Sequence, residues 1–499
     1  MSLNSAPESR AQVPSRDGKF RPRSHCRFLS GKFWYLFTYL QKKIIYWQDR
    51  FGWFRYQDWI KKVEAAKVRS TLDKAPAPLK FPLVAFLILD GAANKAEVLS
   101  TLETLRHVPG CAVVFCLPKA FQQSQDNWLP GLIEQDDRIS VIEIDHARPD
   151  ERWIQYVDQI PGDWIIPLEA GDRIAPFWLK MFCHGVDAHP GAGMFYWDED
   201  VSDELGRRST PFFKPDWSPE LLFSVNYLET AAFHKAHLRS YVNTGRFRPE
   251  CWILDYARTV ETVGHIPFIL QHRKRRAAGL CHYSERVRLF LQDQGFQNVE
   301  TEIQQGRLRL RWTSEKPLVS VIIPTKNNLF YLQRCLSSFI GKTDYPAYEI
   351  LLMDDHSTDQ EVLSYYEELQ SAYPFVRVYK NEEPFNYSRV NNNGARLSQG
   401  RLLLFLNNDV EITNAEWLEE MVRWTLLPEV GITGAKLLYA DKTIQHAGIV
   451  IGMTGHAAHV FAGSPPIARD WFVSPDDYRN VSAVTGACMM ARRDVFDQI

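Results

Sequence analysis

The stretch from Leu318 to Asp409 constrains the fold more than any other part of the 499-residue chain. Three apolar runs, Leu318–Ile323, Ile350–Met353 and Leu402–Leu406, each stop abruptly in polar residues. Those tips read Pro324-Thr325-Lys326-Asn327-Asn328, Asp354-Asp355-His356-Ser357 and Asn407-Asn408-Asp409. Between the first two runs, Leu329, Leu332, Leu336 and Phe339 recur at helical spacing. A further helical stretch and a short strand, Val376–Tyr379, precede the third run. Unbroken apolar runs of this length suit strands covered on both faces. Alternation with helices makes a parallel α/β sheet, which binds ligands in the crevice outside the carboxyl ends of its strands.

The rest of the composition excludes several classes. Hydrophobic residues at 45% and charged residues at 24% suit a globular chain with room for two or three domains. The eight cysteines (Cys26, Cys111, Cys116, Cys183, Cys251, Cys281, Cys335, Cys488) show no metal-ligand spacing and read as free buried thiols of a reducing cytosol. No run of about 18 apolar residues predicts a membrane-spanning helix, and the N-terminus lacks a secretory signal. The net charge of −2 hides an asymmetry: residues 1–74 hold 16 Lys/Arg against 6 Asp/Glu.

That basic segment has two parts. Residues 1–30, rich in Pro, Ser and Arg, read as a disordered tail. In residues 31–78, aromatics from Phe33 to Trp59 alternate with Lys32, Lys42, Lys43, Arg50 and Arg55. Such a pattern fits a helix lying on the cytoplasmic face of a membrane; a helical hairpin packing its aromatics on the following domain fits it too. Residues 75–80 read as a linker. Strands then follow over 81–89, 111–117, 139–144 and 163–168, with a helix over 96–105. This order repeats that of the Leu318–Asp409 stretch and predicts an internal duplication of fold. The chemistry is not duplicated, since Asp90-Gly91-Ala92-Ala93 and Pro118-Lys119 stand where the later copy has Pro-Thr-Lys-Asn and Asp-Asp. Arg273-Lys274-Arg275-Arg276 reads as a solvated surface turn, too small a positive field for a nucleic-acid partner. A helix from Ser284 and two short strands bridge to the second unit.

The three polar tips, with Phe385-Asn386-Tyr387-Ser388-Arg389, Asn391-Asn392-Asn393-Gly394-Ala395 and Val484-Thr485-Gly486-Ala487-Cys488, resemble an inverting family-2 glycosyltransferase of GT-A fold, of the kind that builds bacterial surface polysaccharide such as O-antigen. Tyr196-Trp197-Asp198-Glu199-Asp200 and Phe213-Lys214-Pro215-Asp216-Trp217-Ser218-Pro219 are similar to the leading domain of tandem members. The resemblance implies an α/β chain with two Rossmann-like GT-A units in tandem: a degenerate one over 79–275, a linker over 276–316, and a donor-binding one over 317–499. It further implies a nucleotide-diphosphate sugar donor, a glycan or lipid-linked acceptor, and a divalent cation, Mg or Mn.

Each implied site residue also has a physical reading. Pro324 ends a strand without offering an N–H, and Thr325 and Asn327 present short polar groups. Asp354 and Asp355 can accept from a base N–H or a ribose hydroxyl, or can cap the helix that follows. Asn407-Asn408-Asp409 stands at the family's DxD position, with Asn at the first acidic place. Asp409 is the expected metal ligand, since a hard cation needs oxygen donors and one or two carboxylates suffice beside substrate phosphates. A solvated turn is the rival reading. Arg389 is a candidate diphosphate contact or a surface ion pair. Gly486 and Ala487 are expected on the acceptor side, and His446, His456 and His459 are either phosphate or metal contacts or structural histidines.

The carboxylate general base that inverting transfer requires is expected beyond Ile499, which leaves the catalytic residue unknown and the chain reading as C-terminally incomplete. Two alternatives stay open. One is a non-catalytic scaffold that binds nucleotide-sugar without turnover. The other is a first unit that itself acts through Asp198, Glu199 and Asp200.

Overall fold

Strands that are apolar at every position need cover on both faces, and two sheets of this chain are built from such strands. The computed structural model describes residues 56–74, 83–89, 95–118, 128–144, 153–274, 280–304, 307–452, 456–466 and 473–499. The expectations for 1–30, for 31–55 and for Asp90–Ala93 and Lys119 lie outside these residues.

The described chain begins with a helical run, Tyr56–Trp59, a π turn over Ile60–Glu64 and a continuation over Ala65–Lys74. The first sheet takes β1 (Val84–Ile88), β2 (Ala112–Pro118), β3 (Ile139–Ile144), β4 (Trp164–Leu168), β5 (Arg173–Ile174), β6 (Met194–Ser202), β7 (Arg208–Phe212), β8 (Ala231–His234) and β9 (Val263–Arg273). Its strand order is β3-β2-β1-β4-β8-β6-β9-β5, with β7 beside β6. The first four strands are parallel, and β8 joins them antiparallel.

After the helix Leu280–Asp293 and the hairpin of β10 (Gln297–Gln304) and β11 (Arg307–Thr313), a second sheet forms. It comprises β12 (Val319–Thr325), β13 (Tyr348–Asp354), β14 (Val376–Lys380), β15 (Leu402–Leu406), β16 (Ile432–Gly434) and β17 (Cys488–Arg492), in the order β14-β13-β12-β15-β17-β16. Here too the first four are parallel and the fifth is antiparallel. Both sheets place their first four strands, in chain order, at the third, second, first and fourth positions. The fold is therefore mixed α/β with two parallel-centred sheets of matching order.

The second sheet shows how the sequence dictates its layers. Val319, Val321 and Ile323 face one side with helix α1 (Leu329–Lys342), whose Leu332, Leu336 and Phe339 are fully buried as their spacing predicts. Ile322 faces the other side with Leu351, Leu403 and helix α2 (Tyr387–Leu397). Gly394 lets α2 approach closely, since a Cβ there would stand 2.5 Å from Ile322 Cγ2.

Residues 280–313 are integral to the packing. Val287, Phe290, Leu308 and Trp312 share one buried cluster with Phe223 and Tyr227 of the first half and with Trp424 and Leu427 of the second. Six of the cysteines are free and buried, as read from the sequence. The solvated turn expected at 273–276 needs correction at Arg273, while Lys274 is exposed and 275–276 lie outside the described residues. Arg273 ends β9 in the interior, ion-paired with Glu229 and, at 3.2 Å, with Glu169, while Lys274 N–H donates to Asp172 at 3.2 Å. An interior strand end surrounded by carboxylates draws a guanidinium inward.

Candidate functional site

The three polar tips meet on one sheet edge because β12 lies between β13 and β15. Thr325, the last residue of β12, is buried, and its carbonyl accepts the Asp355 N–H at 2.8 Å. On its other flank Thr325 Oγ1 accepts from Asn408 Nδ2 at 3.2 Å. A continuous line therefore runs from Asp355 through Thr325 to Asn408, with Pro324 half-buried just before it and Asp409 exposed just beyond it.

Asp354 and Asp355 have diverged in role. Asp354 accepts from the Ser357 N–H (3.2 and 3.3 Å to its two oxygens) and from the Tyr366 hydroxyl at 2.9 Å. Burial pushes the Tyr366 hydroxyl up to about 12, which keeps it a proton donor to Asp354. Asp355 is 3% exposed and accepts from Asn381 Nδ2 at 2.8 Å, with Lys326 Nζ at 3.3 Å and His356 Nδ1 at 3.4 Å. Burial opposes its ionisation, but these donors outweigh burial and hold the carboxyl below the usual aspartate range. Asp355 is thus a fixed anion at the β13 end of the line, and it does not cap the helix that follows.

That helix, Gln360–Ala372, has no side-chain cap, and Asn327 holds the loop that leads into it. Asn327 Oδ1 accepts the N–H groups of Thr358 and Asp359 at 2.8 and 3.1 Å, while Asn327 N–H donates to Ser357 Oγ at 2.7 Å. Asn327, Asn328 and His356 all hold left-handed backbone, φ 49, 57 and 61°. Left-handed residues other than glycine persist where their surroundings fix them and concentrate at functional loops. The Asn327 side chain, expected to face a ligand, instead locks the two loops to each other.

On the β15 side, Asn407 N–H donates to Ala487 O at 3.0 Å, bringing the turn before β17 against the tip. Tyr387 OH donates to Gly486 O at 3.0 Å and stands 3.4 Å from Asn407 Oδ1. A Cβ at Gly486 would lie 3.0 Å from that hydroxyl, so any larger residue there would press on the seated tyrosine. Asn386 caps α2 through the Arg389 N–H at 2.9 Å, and the exposed Arg389 guanidinium pairs with Glu383 at 2.9 Å. The Asp409 carboxylate has no hydrogen-bond or ion-pair partner among the described residues.

His446 is a structural histidine. Its Nε2 accepts the N–H groups of Gly448 (3.3 Å) and Thr485 (3.4 Å), and its Nδ1 stands 3.1 Å from His459 Nδ1. With Nε2 accepting, the proton sits on Nδ1 and points at His459. Burial, then His459 and Arg479, push its pKa down to about 4.

In the first sheet the acidic run on β6 is fully engaged. Asp200 binds Arg208 (2.5 Å), Tyr56 OH (2.6 Å) and His272 (2.6 Å), Glu199 pairs with Lys214 at 3.0 Å, and Asp198 accepts the Lys214 N–H at 2.8 Å. Asp172, after β4, is buried, and burial raises its pKa to about 6.

Sequence reasoning passed over Asn381, Lys326 and Tyr387 as site residues. Asn381 directly follows β14, the neighbour of β13, so the strand order carries the signal once it is known. Tyr387 lies in a motif read only for its arginine.

Residues 320–499 match the family model Glycosyl transferase family 2, and the chain carries a domain of that family. It is 35% identical over 359 residues, 68% of this chain and 28% of the relative, to the O-antigen biosynthesis protein RfbC of Myxococcus xanthus. It is 34% identical over 361 residues to the protein y4gI of Sinorhizobium fredii, covering 68% of this chain and 40% of that one. This chain therefore spans well under half the length of these relatives. A putative teichuronic acid biosynthesis glycosyltransferase, TuaG of Bacillus subtilis, is 32% identical over 99 residues, 19% of this chain and 38% of the relative. Among solved structures, S. aureus TarS 1–349 superposes with a TM-score of 0.32 at 12% identity, over 42% of this chain and 65% of that one, too slight a likeness to argue from. Among the described residues no helix is long and apolar enough to cross a membrane, and no cluster of three or more His, Cys, Asp or Glu is placed to hold a metal.

Proposed function

We propose that residues 317–499 bind a nucleotide-diphosphate sugar along the Asp355–Thr325–Asn408 edge, as the donor-binding part of a protein that transfers the sugar, with inversion, to a glycan or lipid-linked acceptor. The observation that carries this reading is the convergence of three motifs, far apart in sequence, on one strand-end line with a fixed anion, Asp355, at one end. Asp355, held ionised, accepts from a base N–H or a ribose hydroxyl. Thr325 and Pro324 form the floor, and Asp354 with Asn327 fix the loops around it. Arg389, in the first turn of α2 with Tyr387, is the cation that would meet the diphosphate on leaving Glu383.

The residues fit a divalent cation, Mg or Mn. Asp409 offers an exposed carboxylate without a hydrogen-bond or ion-pair partner among the described residues, and the neighbouring asparagines offer amide oxygens, a donor set hard enough for such an ion when substrate phosphates complete it. When bound, the ion neutralises the diphosphate as it leaves. Gly486 and Ala487, in the turn before β17 that meets Asn407 and Tyr387, bound the acceptor side. The first sheet, with the same strand order but with its carboxylates engaged internally, is a duplicated unit that has lost the donor chemistry.

The test is release of nucleoside diphosphate from a panel of UDP-, GDP- and dTDP-sugars, with Mn present and lipid-linked oligosaccharide as acceptor. NMR of the product reads the anomeric configuration. Transfer with inversion is expected. Binding of donor without release or transfer would favour the non-catalytic scaffold instead.

A further inference from the structure

The Phe213–Pro219 motif of the first half has no place in the donor site, yet one of its residues reaches across to the segment that feeds that site. Ser218, 1% exposed, accepts the Asn480 N–H at 2.9 Å through Oγ and lies 2.9 Å from Asn480 Oδ1, to which its hydroxyl donates. Two residues earlier in that segment, Tyr478 N–H donates to the buried Ser224 Oγ at 2.8 Å. Both serines are rigidly held. Ser218 and Tyr227 exchange hydrogen bonds (3.2 and 2.9 Å), and the 3-10 turn Pro219–Phe223 spans the gap to Ser224.

The segment they grip has little structure of its own. From 473 to 487 it forms no strand or helix, and its single bridge is Ala483 with Ile449. Side chains supply further fastenings. The Tyr478 ring lies 4.3 Å from that of Trp424, tilted by 37°, its hydroxyl lies 3.1 Å from Glu420, and Arg479 donates to Ser474 O at 2.6 Å and to Ala447 O. Five residues beyond Asn480 the chain reaches Thr485, then Gly486 and Ala487, whose carbonyls accept from Tyr387 OH and Asn407 N–H. Few ladder hydrogen bonds means a low local cost of opening. The turn at the donor edge has bonds of its own to Tyr387, Asn407 and, through the Thr485 N–H, His446, and the anchoring upstream fixes the strandless segment that leads into it.

We infer that the first half of the chain acts as a positioning unit for the second, with Ser218 and Ser224 clamping residues 478–480 so that the Thr485–Ala487 turn is held against Asn407. The functional part of this rests on the acceptor-side reading of Gly486 and Ala487. It gives the engaged, donor-incompetent first sheet a reason to be kept beside the second. Ser218 and Asn480 are positioning residues and touch no reacting atom.

Hydrogen–deuterium exchange on the full chain tests it without needing turnover, so failure of the transferase reading would not mask the result. Ser218→Ala, and Asn480→Ala at the exposed partner, are compared with Glu429→Ala. Glu429 makes another contact between the halves, 3.6 Å from Arg258, and its removal leaves the Arg258 guanidinium over the Phe223 ring. Losing the clamp should speed exchange in peptides covering 478–488 about ten-fold, the expected scale for one lost pair of hydrogen bonds. Peptides covering β12 and β13 should exchange as in wild type, and Glu429→Ala should change neither. Calorimetry with UDP or GDP plus Mn should show nucleotide affinity unchanged in both clamp variants. Unchanged exchange at 485–488 in both clamp variants would overturn the proposal. So would equal acceleration of every peptide, or the same pattern in Glu429→Ala.

Discussion

Asn408 Nδ2 donates to Thr325 Oγ1 at 3.2 Å, joining the tips of two adjacent strands that lie 83 residues apart in the chain. The contact fixes the loop carrying Asp409 to the strand whose carbonyl positions Asp355. Thr325→Val keeps the shape of a buried side chain and removes the acceptor. Folding stability should fall by about 1 kcal/mol, the usual worth of one such bond. Calorimetric titration with nucleoside diphosphate and Mn should show a loss of affinity of several-fold.

Asp355 gives a pH signature. Its carboxyl is held below the usual range in the folded chain, so its ionised form stabilises the fold above the unfolded value of about 4, and that contribution is lost as pH falls below it. Asp355→Asn should therefore be less stable than wild type at pH 7. Thermal unfolding midpoints of the two proteins should converge as pH is lowered through 4.

His446 titrates in the same sense from the opposite chemistry. Its folded pKa of about 4 lies below the ordinary 6.5, so the folded chain resists a proton that the unfolded chain takes up. Its contribution to stability is whole above 6.5 and declines between 6.5 and 4. His446→Gln, which keeps an acceptor for the Thr485 N–H, should flatten the stability profile over that window, measured by denaturant unfolding at stepped pH.

Gly394→Ala sets two effects against each other. Alanine favours a helix interior over glycine by about 1 kcal/mol. Its Cβ would press to 2.5 Å from Ile322 Cγ2 in a fully buried layer, and overpacking costs about 1–3 kcal/mol. The clash should prevail, with a lower melting temperature in calorimetry.

Much of this was legible in the sequence. The strand runs, the buried stripe of Leu332, Leu336 and Phe339, and the grouping of the polar tips all follow from apolar periodicity, because strands covered on both faces leave no alternation to misread. The roles of the individual polar residues did not follow. Asn327 and Asp355 are both short polar side chains at strand ends, and only the pairing of the loops reveals that one fastens backbone while the other keeps a fixed charge. Arg273 looked solvated because its three basic neighbours are contiguous, whereas its place in β9 brings it to Glu229 and Glu169. The link from Ser218 to Asn480 spans 262 residues and has no local signal at all.

The most direct test of the shared donor edge is equilibrium binding of UDP and GDP, with and without Mn, to wild type, Asp355→Asn and Asp409→Asn. One of the nucleotides should bind wild type in a Mn-dependent way. Asp355→Asn should weaken binding whether or not Mn is present. Asp409→Asn, an exposed change that leaves stability within about 0.5 kcal/mol, should abolish only the Mn-dependent part. Nucleotide binding that both variants retain at wild-type strength would contradict the account.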